Sequence, residues 1–359
     1  RLSENLKLRH IITKAARDFL SDEGFLEVET PILSKATPEG ARDFLVPSRI
    51  NPGKFYALPQ APQQYKQMLM VAGVEKYFQI ARCFRDEDLR ADRQPEFSQI
   101  DIEASFISQD DIIGMIEGML SSMFSQARGV EVPTPFERLT WKDAMDRYGS
   151  DKPERRIDME MVDLTEDLKD CEFRVFSGSV ANGGVVKAIN AKGFADISTG
   201  QIDKLTKLAQ EAGAKGLAYI QARDNDRTTW RSPFVKRMTD SEVEALRSKL
   251  NIEPGDLILF AADSWEPACD VLGRIRLEVA SLRELLKGNE ELDFLWVTEF
   301  PLLAYDEEEG RHVAVHHPFT RPLKEDEEKL RNGELDGLRA QAYDVVLNGY
   351  ELGGGSIRI

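Results

Sequence analysis

Seven polar side chains stand on strand-like stretches or in the segment Pro62–Gln63–Gln64–Tyr65–Lys66–Gln67: Gln63, Lys66, Arg85, Gln99, Asp101, Glu351 and Arg358. Charges on such elements are costly when buried without partners. Two arrangements avoid that cost. One is a solvated outer face whose ion pairs are satisfied. The other is a cleft that receives a charged ligand. In the cleft an arginine offers a planar fork for carboxylate or phosphate, and a lysine acts as a point charge. Asp and Glu suit Mg²⁺ together with substrate phosphates. The residue types alone leave both arrangements open.

Around these residues, two alternating runs read as a hairpin. The first is Tyr77–Phe78–Gln79–Ile80–Ala81–Arg82–Cys83–Phe84–Arg85. In the second, Ile100, Ile102, Ala104 and Phe106 share one face, and Phe97, Gln99, Asp101 and Glu103 the other. The loop between them is dense in charge (Asp86, Glu87, Asp88, Arg90, Asp92, Arg93) and far longer than a tight turn needs, which suggests a working loop. Before the hairpin, Leu8, Ile11, Ile12, Ala15, Phe19 and Leu20 mark a helix stopped by Gly24. Then Phe25–Leu26–Glu27–Val28–Glu29–Thr30 reads as a short strand ended by Pro31. Residues 111–128 read as a second helix. From about 155 to 290 glycines cluster, and helix-like stretches (200–212, 239–250, 267–287) alternate with apolar runs, as in an inserted α+β domain. After it, 292–300 reads as a buried strand. The chain closes with three consecutive glycines, Gly353 to Gly355, inside a strand pattern. Strict alternation puts Glu351 and Arg358 on opposite faces, whereas a bulge in the glycine run would bring both to one.

Composition sets bounds on this picture. At roughly 100–200 residues per domain, 359 residues suggest two or three domains. Hydrophobic residues are 42% and charged residues 31%, an ordinary soluble balance. The net charge of −16 counts against a generic basic nucleic-acid coat, though not against a local basic groove. No apolar run is long enough for a membrane span, and the first residues lack a signal-peptide core. Three widely spaced cysteines and four histidines make a disulfide framework or zinc site a poor fit, and point to a reducing cytoplasmic setting.

The segment Phe84–Arg85–Asp86–Glu87–Asp88–Leu89–Arg90–Ala91–Asp92–Arg93–Gln94–Pro95–Glu96–Phe97 resembles motif 2 of class II aminoacyl-tRNA synthetases, in the form of the bacterial-type aspartyl-tRNA synthetases. Residues 25–31 resemble motif 1. Thr37–Pro38–Glu39–Gly40–Ala41 resembles that family's flipping loop, and Pro62–Gln63–Gln64–Tyr65–Lys66 and Gly353–Gly354–Gly355–Ser356–Ile357–Arg358 also resemble it. Tyr148–Gly149–Ser150–Asp151–Lys152–Pro153 precedes a stretch that looks like the bacterial extra domain. The resemblance spans essentially the whole chain. It implies an α+β fold, with a class II synthetase-type antiparallel sheet flanked by helices. The expected divisions are a first catalytic part (1–154), an inserted domain (155–290) and a second catalytic part (291–359). It also implies a fragment, since no N-terminal anticodon-binding domain precedes the first helix and no motif 3 match precedes Ile359, so that the ATP site would be incomplete.

The implied reaction is activation of L-aspartate by ATP to aspartyl-adenylate, then transfer to the 3′ end of tRNA. The implied partners are L-aspartate, ATP, tRNA(Asp) with tRNA(Asn) left open, and a second copy of the chain bound through motif 1, where Pro31 would sit. Carried over by the resemblance, Glu39, Gln63, Lys66, Arg85, Gln99, His316, His317 and Arg358 would bind aspartate, with the choice between the histidines open. Lys66 and Arg358 would be unpaired cations that reject the neutral amide of asparagine. Arg85 would be the catalytic bridge to the α-phosphate. Arg85, Asp86, Glu87, Gln94, Phe97 and Glu351 would bind ATP, with Phe97 stacked on adenine. Asp344 and Glu351 would hold Mg²⁺. The competing readings are an asparaginyl-tRNA synthetase, a synthetase-like enzyme that amidates aspartate, and a non-catalytic paralogue.

Overall fold

The structure is a computed structural model that describes residues 1–36, 41–88 and 93–359. The chain divides into two compact units, residues 1–135 and 136–359.

In the first unit, helix Leu2–Asp22 buries Ala15, Ala16 and Leu20 and stops at Gly24, where φ is +81°. It packs with helix Gln109–Arg128, which opens on a Ser108/Asp111 capping box and closes on left-handed Gly129. The two helices touch closely at Gly118, where a Cβ would lie 2.9 Å from the Phe19 ring. Beneath them is a three-stranded sheet. Leu26–Glu27 runs parallel to Lys76–Phe84, which pairs antiparallel with Glu96–Ala104. Ile100, Ile102 and Ala104 join Phe25, Phe78, Met119 and Met123 in the core, as alternation predicts. Two details depart from the sequence reading. The strand after Gly24 spans only Leu26–Glu27, although the Val28 N–H still reaches Phe78 O at 3.1 Å. Phe106 does not share the core face. The strand ends at Ala104, the Ser105 N–H turns back to Glu75 O, and Phe106 sits at φ +61° with 94% of its surface exposed.

The second unit holds two four-stranded sheets. In one, Glu137–Thr140 runs parallel to Phe294–Thr298, followed by antiparallel Ala342–Leu347 and Tyr350–Ser356. In the other, Val162–Asp163, Val185–Ala191, Asp256–Asp263 and Ala218–Ala222 lie in that order, all antiparallel. Helices Thr199–Glu211, Asp240–Leu250 and Trp265–Leu282 cover its faces, and two apolar clusters form, one on each side. Arg276, 1% exposed, ties the segment leading into this sheet to the last of those helices. It donates to the carbonyls of Glu154, Ile157 and Met159 at 2.7–2.8 Å. Among the described residues no helix is long and apolar enough to cross a membrane.

Candidate active site

The first unit assembles a polar face on the hairpin. Cross-strand register pairs Cys83 with Phe97, Ala81 with Gln99 and Gln79 with Asp101, so these side chains project to the side opposite the core. Where the loop leaves the strands, the Arg85 N–H donates to Pro95 O at 2.9 Å and the Asp86 N–H to Arg42 O at 3.0 Å. The Arg85 guanidinium stacks 5.1 Å from the centre of the Phe97 ring. Helix Gln63–Val71 presents Gln63 and Lys66 from its first turn, one turn apart and both buried. Gln99 Oε1 accepts from Cys83 Sγ at 3.2 Å.

Lys66 is not an unpaired cation. Its Nζ donates to Asp101 Oδ1 at 2.7 Å and lies 3.5 Å from Glu103 Oε2. The physical reason is burial: at 7% exposure an ammonium without a partner would cost several kcal/mol, and the strand alternation that turns Gln99 outward turns these two carboxylates outward as well. What the face does leave open is smaller. Gln63 Nε2, Arg85 Nε and Asp101 Oδ2 are buried and have no hydrogen-bond partner among the described residues. Two donors and one acceptor without partners suit a ligand that carries both carboxylate and ammonium. Beneath them the Tyr77 hydroxyl and Thr30 Oγ1 both donate to Gln79 Oε1 at 2.9 Å. Burial, then the neighbouring Asp101, push the Tyr77 phenol pKa upward.

The remaining predicted residues of this unit are more dispersed. Glu39 lies outside the described residues. The backbone just after it is gripped by Gln60, whose carboxamide both accepts from Ala41 N at 3.1 Å and donates to Ala41 O at 2.8 Å. Asp86, Glu87 and Gln94 are exposed, and Glu87 accepts from Arg93 at 3.3 Å.

The second unit builds its polar group on the last two strands. They meet in a two-residue turn, Asn348–Gly349, with both φ positive (+53° and +79°). The register then slips: Val346 pairs with Glu351 but Val345 with Gly353, leaving Leu352 extra. This bulge puts Glu351, Gly354 and Ser356 on the side of Asp344, and by alternation Arg358 follows. The glycines are required there by close approach. A Cβ on Gly354 would fall 1.9 Å from Asp344 Oδ1, and one on Gly355 3.0 Å from the Tyr343 ring.

Asp344 is 7% exposed, and no hydrogen bond from a described residue reaches its carboxylate. Burial, then Glu351 and Asp151, push its pKa up to about 8, with Lys152 opposing. Glu351 pairs with Lys152 at 2.8 Å. Among the described residues no group of three or more His, Cys, Asp or Glu side chains could enclose a metal by itself. Two carboxylates driven against each other nevertheless fit a divalent ion that draws its other ligands from phosphates. Of the two histidines, His316 faces this group. Its ring packs edge-to-face on Phe300 at 4.6 Å, and its pKa is lowered by desolvation and by Arg358 against the pull of Asp151 and Glu351. His317 turns to its own loop, where its Nδ1 accepts from Phe319 N at 3.1 Å.

All of residues 1–359 match the family described as tRNA synthetases class II (D, K and N). The chain belongs to this family. The synthetase chain is 56% identical over 357 residues to the aspartate–tRNA(Asp/Asn) ligase of Anoxybacillus flavithermus, covering 99% of the chain and 60% of that relative. It is 55% identical to the enzyme of the same name from Lachnoclostridium phytofermentans (100% and 59%). It is 56% identical to that from Symbiobacterium thermophilum (100% and 61%). It thus spans about three-fifths of the length of these relatives. The mixed α/β architecture with several antiparallel sheets is the one expected for this family.

Within each unit the structure gathers most of the predicted side chains: Gln63, Lys66, Arg85, Phe97 and Gln99 in the first, His316, Asp344, Glu351 and Arg358 in the second. Sequence reasoning overlooked Asp101 and Glu103 as the partners of Lys66, and Lys152 as that of Glu351. The period-2 pattern could have found the first two. No local pattern announces the third.

Proposed function

We propose that this chain carries the amino-acid-activating machinery of an aspartate–tRNA ligase, which joins L-aspartate to ATP as aspartyl-adenylate, releases pyrophosphate, and passes the aspartyl group to the 3′ end of tRNA(Asp). The observation that carries the reading is a set of buried polar atoms without a hydrogen-bond partner among the described residues, Arg85 Nε and Asp101 Oδ2 from the hairpin and Gln63 Nε2 from the helix, beside an anchored lysine. The names of the relatives support the substrate. Lys66, fixed by Asp101 and Glu103, receives the side-chain carboxylate. Asparagine would set a neutral amide against this cation and lose its charge-assisted bond. Asp101, Gln63, Gln99 and Glu39 orient the α-amino and α-carboxyl groups. Arg85 bridges the α-carboxylate and the α-phosphate, stabilising the charge that develops as the carboxylate oxygen attacks. Phe97, with Arg85 on its ring, Glu87, Gln94 and Asp86 serve the nucleotide.

Asp344 and Glu351 are the residues that would hold Mg²⁺, which when bound neutralises phosphate charge. The 1–154 and 291–359 parts form the catalytic domain, and the 155–290 part, with its own sheet, is the inserted domain. The exposed Leu26, Ile32 and Leu33 flanking Pro31 support a homodimer through this stretch. The names of several relatives include tRNA(Asn), and we extend the proposal to it. A cytoplasmic setting follows from the same activity.

Calorimetric titration of L-aspartate and L-asparagine, with aspartate-dependent ATP–pyrophosphate exchange, tests the reading. Aspartate should bind at least tenfold more tightly than asparagine. Preference for asparagine overturns it in favour of the asparaginyl alternative. A folded protein that binds neither favours the non-catalytic one.

A further inference from the structure

Lys152 lies in Tyr148–Gly149–Ser150–Asp151–Lys152–Pro153, a segment that the roles above leave idle. The segment is pinned on both sides. At Gly149, where φ is +67°, a Cβ would lie 2.1 Å from Cys269 O and 2.8 Å from Gly273 Cα, so its backbone rests directly on helix Trp265–Leu282. At the other end Glu154 is buried against the hairpin turn, where a Cβ on Gly349 would lie 3.1 Å from Glu154 Cβ, and its carboxylate is held by Arg156. Between these fixed points the chain has little freedom over where it delivers Lys152, and it delivers the Nζ to within 2.8 Å of Glu351 Oε2.

The surroundings explain why a cation belongs there. Asp344 is nine-tenths buried and accepts no hydrogen bond from a described residue. Glu351 and Asp151 both act on it, and Lys152 is the cation that opposes them there. Such a group without a cation is self-repelling in a low-dielectric setting. Lysine suits the task because it is a compact charge on a flexible stem that can leave. The Lys152 side chain is 31% exposed, which gives it somewhere to go.

We infer that Lys152 is a resident counter-ion that exchanges with the divalent cation: it holds Glu351 while the Asp344–Glu351 pair is metal-free and releases it when Mg²⁺ binds. The inference rests on the reading of Asp344 and Glu351 as Mg²⁺ ligands. Two consequences follow. The carboxylate pair keeps its geometry before metal arrives. Its affinity for bare Mg²⁺ is also held down, so that the ion enters most favourably with the phosphates that supply its other ligands.

The test is titration of MgCl₂ alone into the 359-residue chain, followed by calorimetry, and thermal unfolding in EDTA and in Mg²⁺. Lys152→Met should bind Mg²⁺ about tenfold more tightly than wild type. It should melt below wild type in EDTA and recover in Mg²⁺. Lys152→Arg, which keeps the charge, should stay within about twofold of wild type. If Lys152→Met does not fold in EDTA, Lys152→Gln carries the same expectation. A Lys152→Met protein with wild-type Mg²⁺ affinity, or with no binding where wild type also shows none, overturns the exchange. Glu351→Gln separates the two claims: loss of binding in that variant supports the metal ligands whatever Lys152 does, and unchanged binding overturns the ligand reading and the exchange with it.

Discussion

Asp256 and Asp344 are both carboxylates buried on strands of the second unit, yet their surroundings are opposite. Asp256, in the 162–263 sheet, is 1% exposed and accepts from Asn190 Nδ2, Gly193 N and Glu253 N, each at 2.9 Å, with Lys192 3.2 Å away. Burial works to raise its pKa, but these donors outweigh burial and hold it below the usual range. Asp344, in the other sheet, has no such donors among the described residues and is pushed up to about 8. The same contrast holds for arginines. Arg276 is buried among three carbonyls, whereas Arg85 has a buried Nε with no partner among the described residues. The 162–263 sheet does leave two amide oxygens unpartnered, Asn190 Oδ1 and Gln221 Oε1, but these are neutral groups. A satisfied buried charge is structural. A buried charge left wanting is where a ligand belongs.

Substitutions should therefore separate the two regions by what they damage. The largest effect is expected at Arg85. If the proposed function holds, Arg85→Ala should lower aspartate-dependent pyrophosphate exchange by about 10²–10³-fold, or roughly 3–4 kcal/mol of transition-state stabilisation. Its urea unfolding midpoint should move little, because the buried Nε has no hydrogen-bond partner among the described residues and only the stacking on Phe97, about 1 kcal/mol, is lost. Undiminished exchange would remove Arg85 from the mechanism. Arg276→Met should do the reverse. Three carbonyls lose their donor at about 1 kcal/mol or more each, so unfolding free energy should drop by about 3 kcal/mol. Aspartate affinity should stay within twofold. An Arg276→Met protein as stable as wild type would break the contrast at its structural end.

Lys66 stands between the two classes, since it is fully paired and also assigned to substrate. Lys66→Met should weaken aspartate binding by about 2 kcal/mol while the ATP KM changes little, and the preference for aspartate over asparagine should shrink. Equal loss for aspartate and ATP would reduce Lys66 to a structural partner of Asp101. The variant also strands the buried Asp101 carboxylate, so some loss of stability is expected, and the ratio between amino acids is the informative readout.

What was legible in the sequence divides along similar lines. The hairpin, its core face and the helices Leu2–Asp22 and Gln109–Arg128 follow from periodicity, with Gly24 marking the end of the first. The bulge near the triple glycine was legible because three glycines in a strand demand a reason, and Asp344 lying over Gly354 supplies it. The turn at Asn348 and Gly349 was legible too, since that dipeptide favours positive φ at both positions, but reading the closing stretch as one strand hid it. Phe106 was misplaced because alternation carries no signal for where a strand stops. The Lys152–Glu351 pair joins residues about two hundred positions apart, and only folding brings such residues together.

The smallest expected effect concerns Asp146, a structural carboxylate that acid should expose. Burial works to raise its pKa, but hydrogen bonds from Lys142, Lys187 and Trp265, at 2.6–2.9 Å, win and bring it down to about 2. A carboxyl with its folded pKa depressed below its unfolded value stabilises the fold fully above the unfolded pKa, near 4, and loses that contribution as pH falls toward about 2. Asp146→Asn should therefore be less stable than wild type by about 2 kcal/mol at pH 6–8, and the gap should close progressively between about pH 4 and pH 2. Urea unfolding at a series of pH values reads this directly. A gap that stayed constant down to pH 2 would mean that packing of the carboxyl, and not its charge, is what Lys187 and Trp265 recognise, and Asp146 would then cease to be an example of a satisfied, half-buried charge.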